Sequence, residues 1–78
     1  MLIGNETERE YIEASEKDEK LFKKLIETKM KKAKQKGDCI CIVSYKKYRT
    51  YAVLRVLIGL LEEGYKVDTR SKTMWIRW

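Results

Sequence analysis

The spacing of apolar residues first indicates a long amphipathic helix. Between residues 5 and 36 the chain contains neither Gly nor Pro and is rich in Glu, Lys, Leu and Ala, which favour helix. Within this stretch apolar residues recur every three or four positions, as one face of a helix requires. The pattern predicts a helix over residues 16–36 that ends at Gly37. Its apolar stripe consists of Phe22, Leu25, Ile26, Met30 and Ala33.

The start of this helix has two candidate caps. Thr7 with Glu10 has the spacing of a capping box, and Ser15 has the same spacing to Asp18. Residues 1–15 are therefore expected to form either an acidic helical N-terminal arm or an extension of the first helix.

The next two elements are predicted as a strand and a helix. Residues 38–43 are apolar on both faces and rich in β-branched types, which is typical of a central strand covered on both sides. A second helix is predicted over Ser44–Leu61, continuing to Glu63 and ending at Gly64.

The C-terminal segment has the alternation of a hairpin. Residues 65–70 and 73–78 each alternate with period two, and a short polar pair joins them. The residues expected to face the core are Tyr65, Val67, Met74, Ile76 and Trp78. Those expected to face outward are Lys66, Asp68, Arg70, Trp75 and Arg77.

These elements predict an α+β fold, ordered α-β-α-β-β, in which two helices pack on a small three-stranded sheet. Residues 16–78 make up this single domain. A helix joins the first two strands, so they are expected to run parallel with a right-handed crossover. The pattern leaves open whether these strands are adjacent or have the last strand between them.

Three local motifs carry a resemblance to known proteins. An A-x-x-x-G stretch occurs at Ala33–Gly37, L-x-x-G-Y-K-V at Leu61–Val67, and an apolar-x-W ending at Ile76–Trp78. In these motifs the chain resembles a group of small, mostly uncharacterised phage and prophage proteins. The resemblance implies a host-takeover or anti-defence role in the host cell cytoplasm, and it transfers no site residue.

The charge is distributed unevenly. Residues 1–20 carry seven acids and three bases, a net charge of −4, whereas residues 21–78 carry fifteen bases and five acids, a net charge of +10. A basic body suggests an anionic partner, although a solvated lysine-rich surface gives the same composition. The most apolar run, Val53–Leu61, is interrupted by Arg55 and is too short to span a bilayer. We therefore expect a cytoplasmic protein without a membrane partner.

The residue types argue against catalysis. The chain has no His, the usual proton shuttle near neutral pH, and its four glycines are too scattered for a phosphate-binding loop. Cys39 and Cys41 form a lone C-x-C, a weak metal signal, and are expected to be small buried apolar residues. We therefore expect a non-enzymatic protein with no metal and no cofactor.

The strongest binding signal is the basic, aromatic start of the second predicted helix. Cations there oppose the helix macrodipole by about 0.3–1 kcal/mol each, and free backbone N–H groups attract anions. A bound phosphate or carboxylate would explain both, although surface lysines with inward-facing tyrosines give the same pattern. The residues expected to hold phosphate are Ser44, Lys46, Lys47 and Arg49. The residues expected to stack on a base are Tyr45, Tyr48 and Tyr51.

A second, separate cation–aromatic cluster is predicted on the outer face of the hairpin. It consists of Arg70, Trp75 and Arg77. These side chains could stack a base, or they could form a surface cation–π pair.

The body of the second predicted helix is apolar around well over half of its circumference, more than an ordinary surface helix needs. The sheet and the first helix could cover this arc, or a second copy of the chain could cover part of it in a homo-oligomer. Gly59 costs the helix about 1 kcal/mol relative to Ala, which a closely crossing backbone would explain.

Together these patterns predict a small phage-type binding protein. It would capture an anionic nucleotide or nucleic-acid ligand through the basic aromatic helix start. The alternative is a protein–protein inhibitor of a host defence protein or a nucleic-acid-binding protein.

Overall fold

The computed structural model describes residues 8–78, which form two helices and one three-stranded sheet. The predicted α+β class and the order α-β-α-β-β are confirmed. Neither helix in this part of the chain is long and apolar enough to cross a membrane. The elements are α1 (Glu8–Gln35), β1 (Ile40–Ser44), α2 (Thr50–Glu62), β2 (Lys66–Arg70) and β3 (Thr73–Arg77).

Helix α1 is continuous over its 28 residues. Its first two turns therefore extend the helix and do not form a separate arm, while the alternative cap, Thr7, lies outside the described residues. The cap predicted at Ser15 is wrong, because this residue lies within the helix and is fully buried. The helix ends at Gln35, and the predicted capping glycine, Gly37, has a φ of 83°, which lets the N–H of Asp38 reach the carbonyl of Ala33 at 2.9 Å.

Strand β3 lies between β1 and β2 and pairs antiparallel with both. The first two strands are therefore parallel, as predicted, but are not adjacent. The register aligns Ile42 of β1 with Trp75 of β3, and Trp75 with Asp68 of β2. Alternate rows of the sheet thus point to opposite faces.

Strand β1 was predicted to be central, and this prediction is wrong. It is an edge strand with one covered face, on which Cys41 and Val43 are buried, whereas Ile42 on the other face is 43% exposed. The prediction rested on the apolar run at residues 38–43, because a strand with apolar residues on both faces normally has other elements packed on both sides. Here the core is built on one face of the sheet only. That core contains Phe22, Ile26, Met30, Ala33, Cys41, Val43, Val53, Val56, Leu60, Met74 and Ile76.

The hairpin follows the predicted alternation, with one exception at its end. Met74 and Ile76 are fully buried, and Tyr65 and Val67 pack against the core in part. Trp78 is 36% exposed, because it lies beyond the last paired residue, and the ammonium group of Lys34 lies 5.4 Å from its ring centroid.

Helix α2 begins six residues later than predicted, at Thr50 and not at Ser44. Strand β1 continues through Ser44, which pairs with Thr73 of β3, and the next N–H, of Tyr45, donates to the carbonyl of Lys72 at 3.0 Å. Pairing with a distant strand thus overrides the local helix signal. The predicted stop at Gly64 is confirmed by its φ of 92°.

Candidate functional site

The face of the sheet opposite the core is the most distinctive surface of residues 8–78. Both helices contribute to the core on the other face, so three rows of side chains in the described sheet point away from it. Most of these residues are exposed, while Ile40, Thr73 and Trp75 are half-buried. Register defines these rows. The rows are Ser44–Thr73–Arg70, Ile42–Trp75–Asp68 and Ile40–Arg77–Lys66. We call these nine residues the open sheet face.

The indole of Trp75 is held at the centre of the open sheet face. Its Nε1 donates to the Oγ1 of Thr73 at 3.1 Å, and that hydroxyl donates in turn to the carbonyl of Arg70. The guanidinium of Arg70 lies 5.3 Å from the Trp75 ring centroid. It also forms an ion pair with Asp68, with an Nη2–Oδ2 distance of 2.9 Å. The cation–π alternative raised for this cluster is therefore confirmed for Arg70, whereas base stacking stays a prediction.

Cations lie at both ends of the open sheet face. Arg77 and Lys66 are paired in register at one end, and both are exposed. At the other end Arg70 adjoins the two-residue turn that carries Lys72. The described face thus has an aromatic centre between two basic ends.

The basic segment that follows β1 lies beside this face. Lys46 and Lys47 are exposed in the turn that joins β1 to α2, and are not in the first turn of a helix as predicted. The turn adjoins the β2–β3 turn through the hydrogen bond from Tyr45 N–H to the Lys72 carbonyl. The Arg70 end of the second predicted cluster is therefore a neighbour of the first cluster, whereas Arg77 lies at the opposite end of the sheet.

Lys72 is a candidate residue that sequence reasoning missed. Ser71 and Lys72 both have positive φ, 46° and 62°, in the tight turn between β2 and β3. Two-residue hairpin turns of this kind favour Asn-Gly, because each residue must adopt a left-handed conformation. The sequence did contain a signal for this strained turn. The two hairpin strands are separated by only two residues, Ser71 and Lys72, and neither is the Gly or Asn that such a turn favours.

The predicted anion site at the start of α2 is supplied with a carboxylate by the protein itself. Asp18 of α1 accepts a hydrogen bond from the backbone N–H of Arg49, the N-cap residue, at 2.9 Å, and forms an ion pair with its guanidinium at 3.2 Å. Arg49 also lies over the ring of Tyr11 at 5.9 Å. Part of the positive charge at this helix start is thus compensated within the chain, through a contact between residues 31 positions apart that no local motif reveals.

The three tyrosines proposed for stacking lie in different surroundings. Tyr45 and Tyr48 are half-buried against the core, where the Tyr48 ring lies 4.9 Å from that of Phe22. Tyr51 is 39% exposed on α2, with Arg55 at 5.9 Å from its ring. Trp75, and none of these tyrosines, is the aromatic ring on the open sheet face.

The two cysteines also differ in their surroundings. Cys41 is buried as predicted, and burial raises the pKa of its thiol despite the opposing charge of Lys29. Cys39 is exposed, contrary to prediction, because it precedes the first paired residue of β1. Residues 8–78 contain no group of three or more metal-ligating side chains.

Gly59 lines a groove of about 760 Å³ between α1 and α2. The expected close crossing of another backbone is not found there, since a Cβ added at this position would meet no atom within 4 Å. Ile26, Met30, Val56 and Leu60 also line the groove. Packing among the described residues therefore gives no reason for a glycine in this helix.

No protein-family model, curated protein or solved structure matches this chain. The resemblance to phage and prophage proteins therefore stays a prediction.

Proposed function

We propose that this protein binds single-stranded nucleic acid on the open sheet face, without catalysing a reaction on it. The observation that carries the proposal is the half-buried Trp75, held on the open face of the central strand between two basic ends of the sheet. Exposed sheets that present aromatic rings to unstacked bases are a recurrent mode of RNA recognition.

The arrangement suits a single strand better than a duplex. A three-stranded sheet with strands of five residues is about 10 Å wide and about 17 Å long, enough for a few nucleotides. A base can stack on Trp75 only if its own face is free, which is true in a single strand. The phosphates on either side would then lie near Arg70 and Arg77.

Arg70 has a second role in this proposal. In the free protein its guanidinium lies over Trp75 and is paired with Asp68. An incoming base can take the place of the guanidinium on the ring, and the displaced cation can then contact a phosphate. Asp68 would oppose this exchange because it competes with the phosphate for Arg70.

The basic turn extends the same surface. Lys46, Lys47 and Lys72 adjoin the Arg70 end, so a longer strand would continue across them. Self-association would place two such surfaces in one particle and raise the avidity for a long strand. A cytoplasmic location, a phage origin and an anti-defence role are consistent with this activity and stay predictions.

The test is binding of fluorescein-labelled oligonucleotides of about 12 residues, namely oligo-dT, oligo-U and a duplex, measured by fluorescence anisotropy at low salt. Both single strands should bind more tightly than the duplex. Affinity should fall as salt rises, with a slope of about −0.7 per phosphate contact for a single strand. In a Trp78→Phe background Trp75 is the only tryptophan, and its emission should be quenched on binding.

Two variants and a matched control locate the site. Trp75→Leu keeps an apolar side chain but removes the stacking surface, and should weaken binding by about 5- to 150-fold. Arg70→Gln should weaken binding and reduce the salt slope. The matched control is Lys24→Gln, which removes an exposed cation on α1. It should change neither the affinity nor the salt slope by more than about twofold. The proposal is wrong if no probe binds at low salt, if the duplex binds best, or if all three variants behave alike.

A further inference from the structure

Helix α2 carries a narrow apolar seam on the side opposite the core. Leu54, Ile58 and Leu61 are 50%, 53% and 51% exposed, and Tyr51 is 39% exposed. Their spacing of three, four and three residues is the spacing of the a and d positions in a two-helix seam. At 100° per residue these four side chains fall within about 80° of the helix circumference. We call this set the α2 seam.

The α2 seam is what the described residues, 8–78, leave exposed on this helix. The core side of α2 places Val53, Val56 and Leu60 against the sheet and α1. Beside the seam, Arg55 is held by an ion pair to Glu19 of α1, with an Nε–Oε1 distance of 2.8 Å. Among the described residues, half of the apolar arc predicted from the sequence is therefore covered, and half is not.

The charges at the two ends of α2 show what fits this seam. The helix has no acid in its first turn and no base in its last, the reverse of what its macrodipole favours. The turn before the helix carries Lys46 and Lys47, and the helix ends at Glu62 with Glu63 as its C-cap. The acidic end is thus unfavourable next to its own dipole, and Asp18 at the N-cap compensates the basic end only in part. Each end would be favourable next to the opposite end of another α2.

We propose that two copies of the chain pair through α2 in an antiparallel arrangement. The spacing of the seam, three, four and three residues, is the same in both chain directions. In an antiparallel pair, Leu54 of each copy can therefore lie opposite Ile58 of the other, and Tyr51 of each copy opposite Leu61 of the other. In this register Glu62 of one copy is level with Thr50 of the other. The acidic end of each helix then lies beside the N-terminus and the lysines of its partner.

The size of the seam predicts a weak dimer. Four side chains that are about half exposed offer roughly 300–400 Å² of apolar surface per chain, as large as the largest patch on a typical monomer. Even with the charged ends, the contact stays below the standard interface of about 800 Å² per partner. We therefore expect dissociation in the micromolar range. The open sheet face lies on the other side of the sheet from α2. Lys46 and Lys47 belong to both proposals, so Trp75→Leu is the variant that separates them.

Sedimentation equilibrium of the whole protein, from about 10 μM to about 1 mM, tests the seam. The wild type should show a reversible monomer–dimer equilibrium, and Ile58→Lys should be a monomer throughout. Leu21→Lys is the matched control, because Leu21 is 59% exposed on α1, outside the seam, and this variant should dimerise like the wild type. Circular dichroism confirms that each variant is folded. A wild type that is monomeric at 1 mM, or equal loss in both variants, overturns the proposal.

Charge reversal tests the antiparallel orientation. Lys46→Glu/Lys47→Glu and Glu62→Lys/Glu63→Lys should each weaken dimerisation by roughly tenfold, because like charges then meet at both ends. The variant with all four changes should dimerise as strongly as the wild type, because opposite charges meet again. If the four changes do not restore dimerisation, the antiparallel pairing is wrong. Trp75→Leu should leave the dimer unchanged, which separates this proposal from the nucleic-acid proposal.

Discussion

Replacement of Lys72 by glycine should make the protein more stable and a weaker nucleic-acid binder at the same time. Lys72 adopts a φ of 62°, a left-handed conformation that L side chains disfavour, in the turn between β2 and β3. Its side chain is exposed at the basic end of the open sheet face. Strained residues of this kind are retained where the side chain is needed.

The magnitude follows from two opposing effects. A left-handed conformation costs a residue with a Cβ about 1–2 kcal/mol, which glycine avoids. Glycine has more freedom to lose on folding, which costs about 0.5–1 kcal/mol. The net expectation for Lys72→Gly is a gain of about 0.5–1 kcal/mol, which raises the melting temperature of a domain of this size by about 2–8 °C.

The assay compares Lys72→Gly with Lys72→Ala. Both variants lose the ammonium group, but alanine keeps the Cβ and therefore the strain. Both should bind oligo-U more weakly than the wild type, with a salt slope lowered by about 0.7, the contribution of one phosphate contact. Only the glycine variant should melt at a higher temperature.

Two results would refute this reasoning, each at a different step. If Lys72→Gly is no more stable than Lys72→Ala, the turn does not hold Lys72 in the left-handed conformation in solution. If both variants keep the affinity and the salt slope of the wild type, Lys72 does not contact the ligand. The retention of a strained lysine would then need another explanation.

Three further variants test the packing, by urea or thermal denaturation. Ser15→Ala removes a fully buried hydroxyl without a hydrogen-bond partner in the described chain, and should add about 1–2 kcal/mol of stability, whereas a loss would mean that the hydroxyl is bonded. Gly59→Ala enters open space and should add up to about 1 kcal/mol, and a decrease would indicate that another segment closes there. Burial alone would raise the pKa of Glu19, but hydrogen bonds from Arg55 and a nearby lysine outweigh it and lower that pKa. The stability that this carboxylate contributes is thus present above its ordinary pKa of 4.5 and lost as pH falls through the lowered value, so the advantage of wild type over Glu19→Gln should vanish in acid.

The order of elements could be predicted from the sequence because it depends on local periodicity. The apolar stripe of α1, the alternation of the hairpin and the breaks at Gly37 and Gly64 are each visible within a few residues. The outward position of Trp75 and Arg70 followed from the same alternation. These features needed no knowledge of which strands pair.

The remaining features depend on contacts between distant residues. Nothing in residues 44–50 marks the end of a strand, because pairing of Ser44 with Thr73 decides it. Whether β1 is central or at an edge depends on the position of β3, which the sequence left open. The β1–α2 turn, which carries Lys46 and Lys47, lies close to Lys72 because β3 separates β1 from β2.

The distribution of charge shows most clearly why composition alone could not locate the site. The sequence predicts an anion site at the start of the second helix, because Lys46, Lys47 and Arg49 are clustered there. In the folded chain α1 brings Asp18 to Arg49 and Glu19 to Arg55, so the acidic stretch within residues 8–20 compensates one cation at the helix start and one further along α2. The lysines of the turn instead join the cations at the end of the sheet, next to an aromatic ring. The open sheet face, and not the start of α2, is therefore where we propose that an anionic ligand binds.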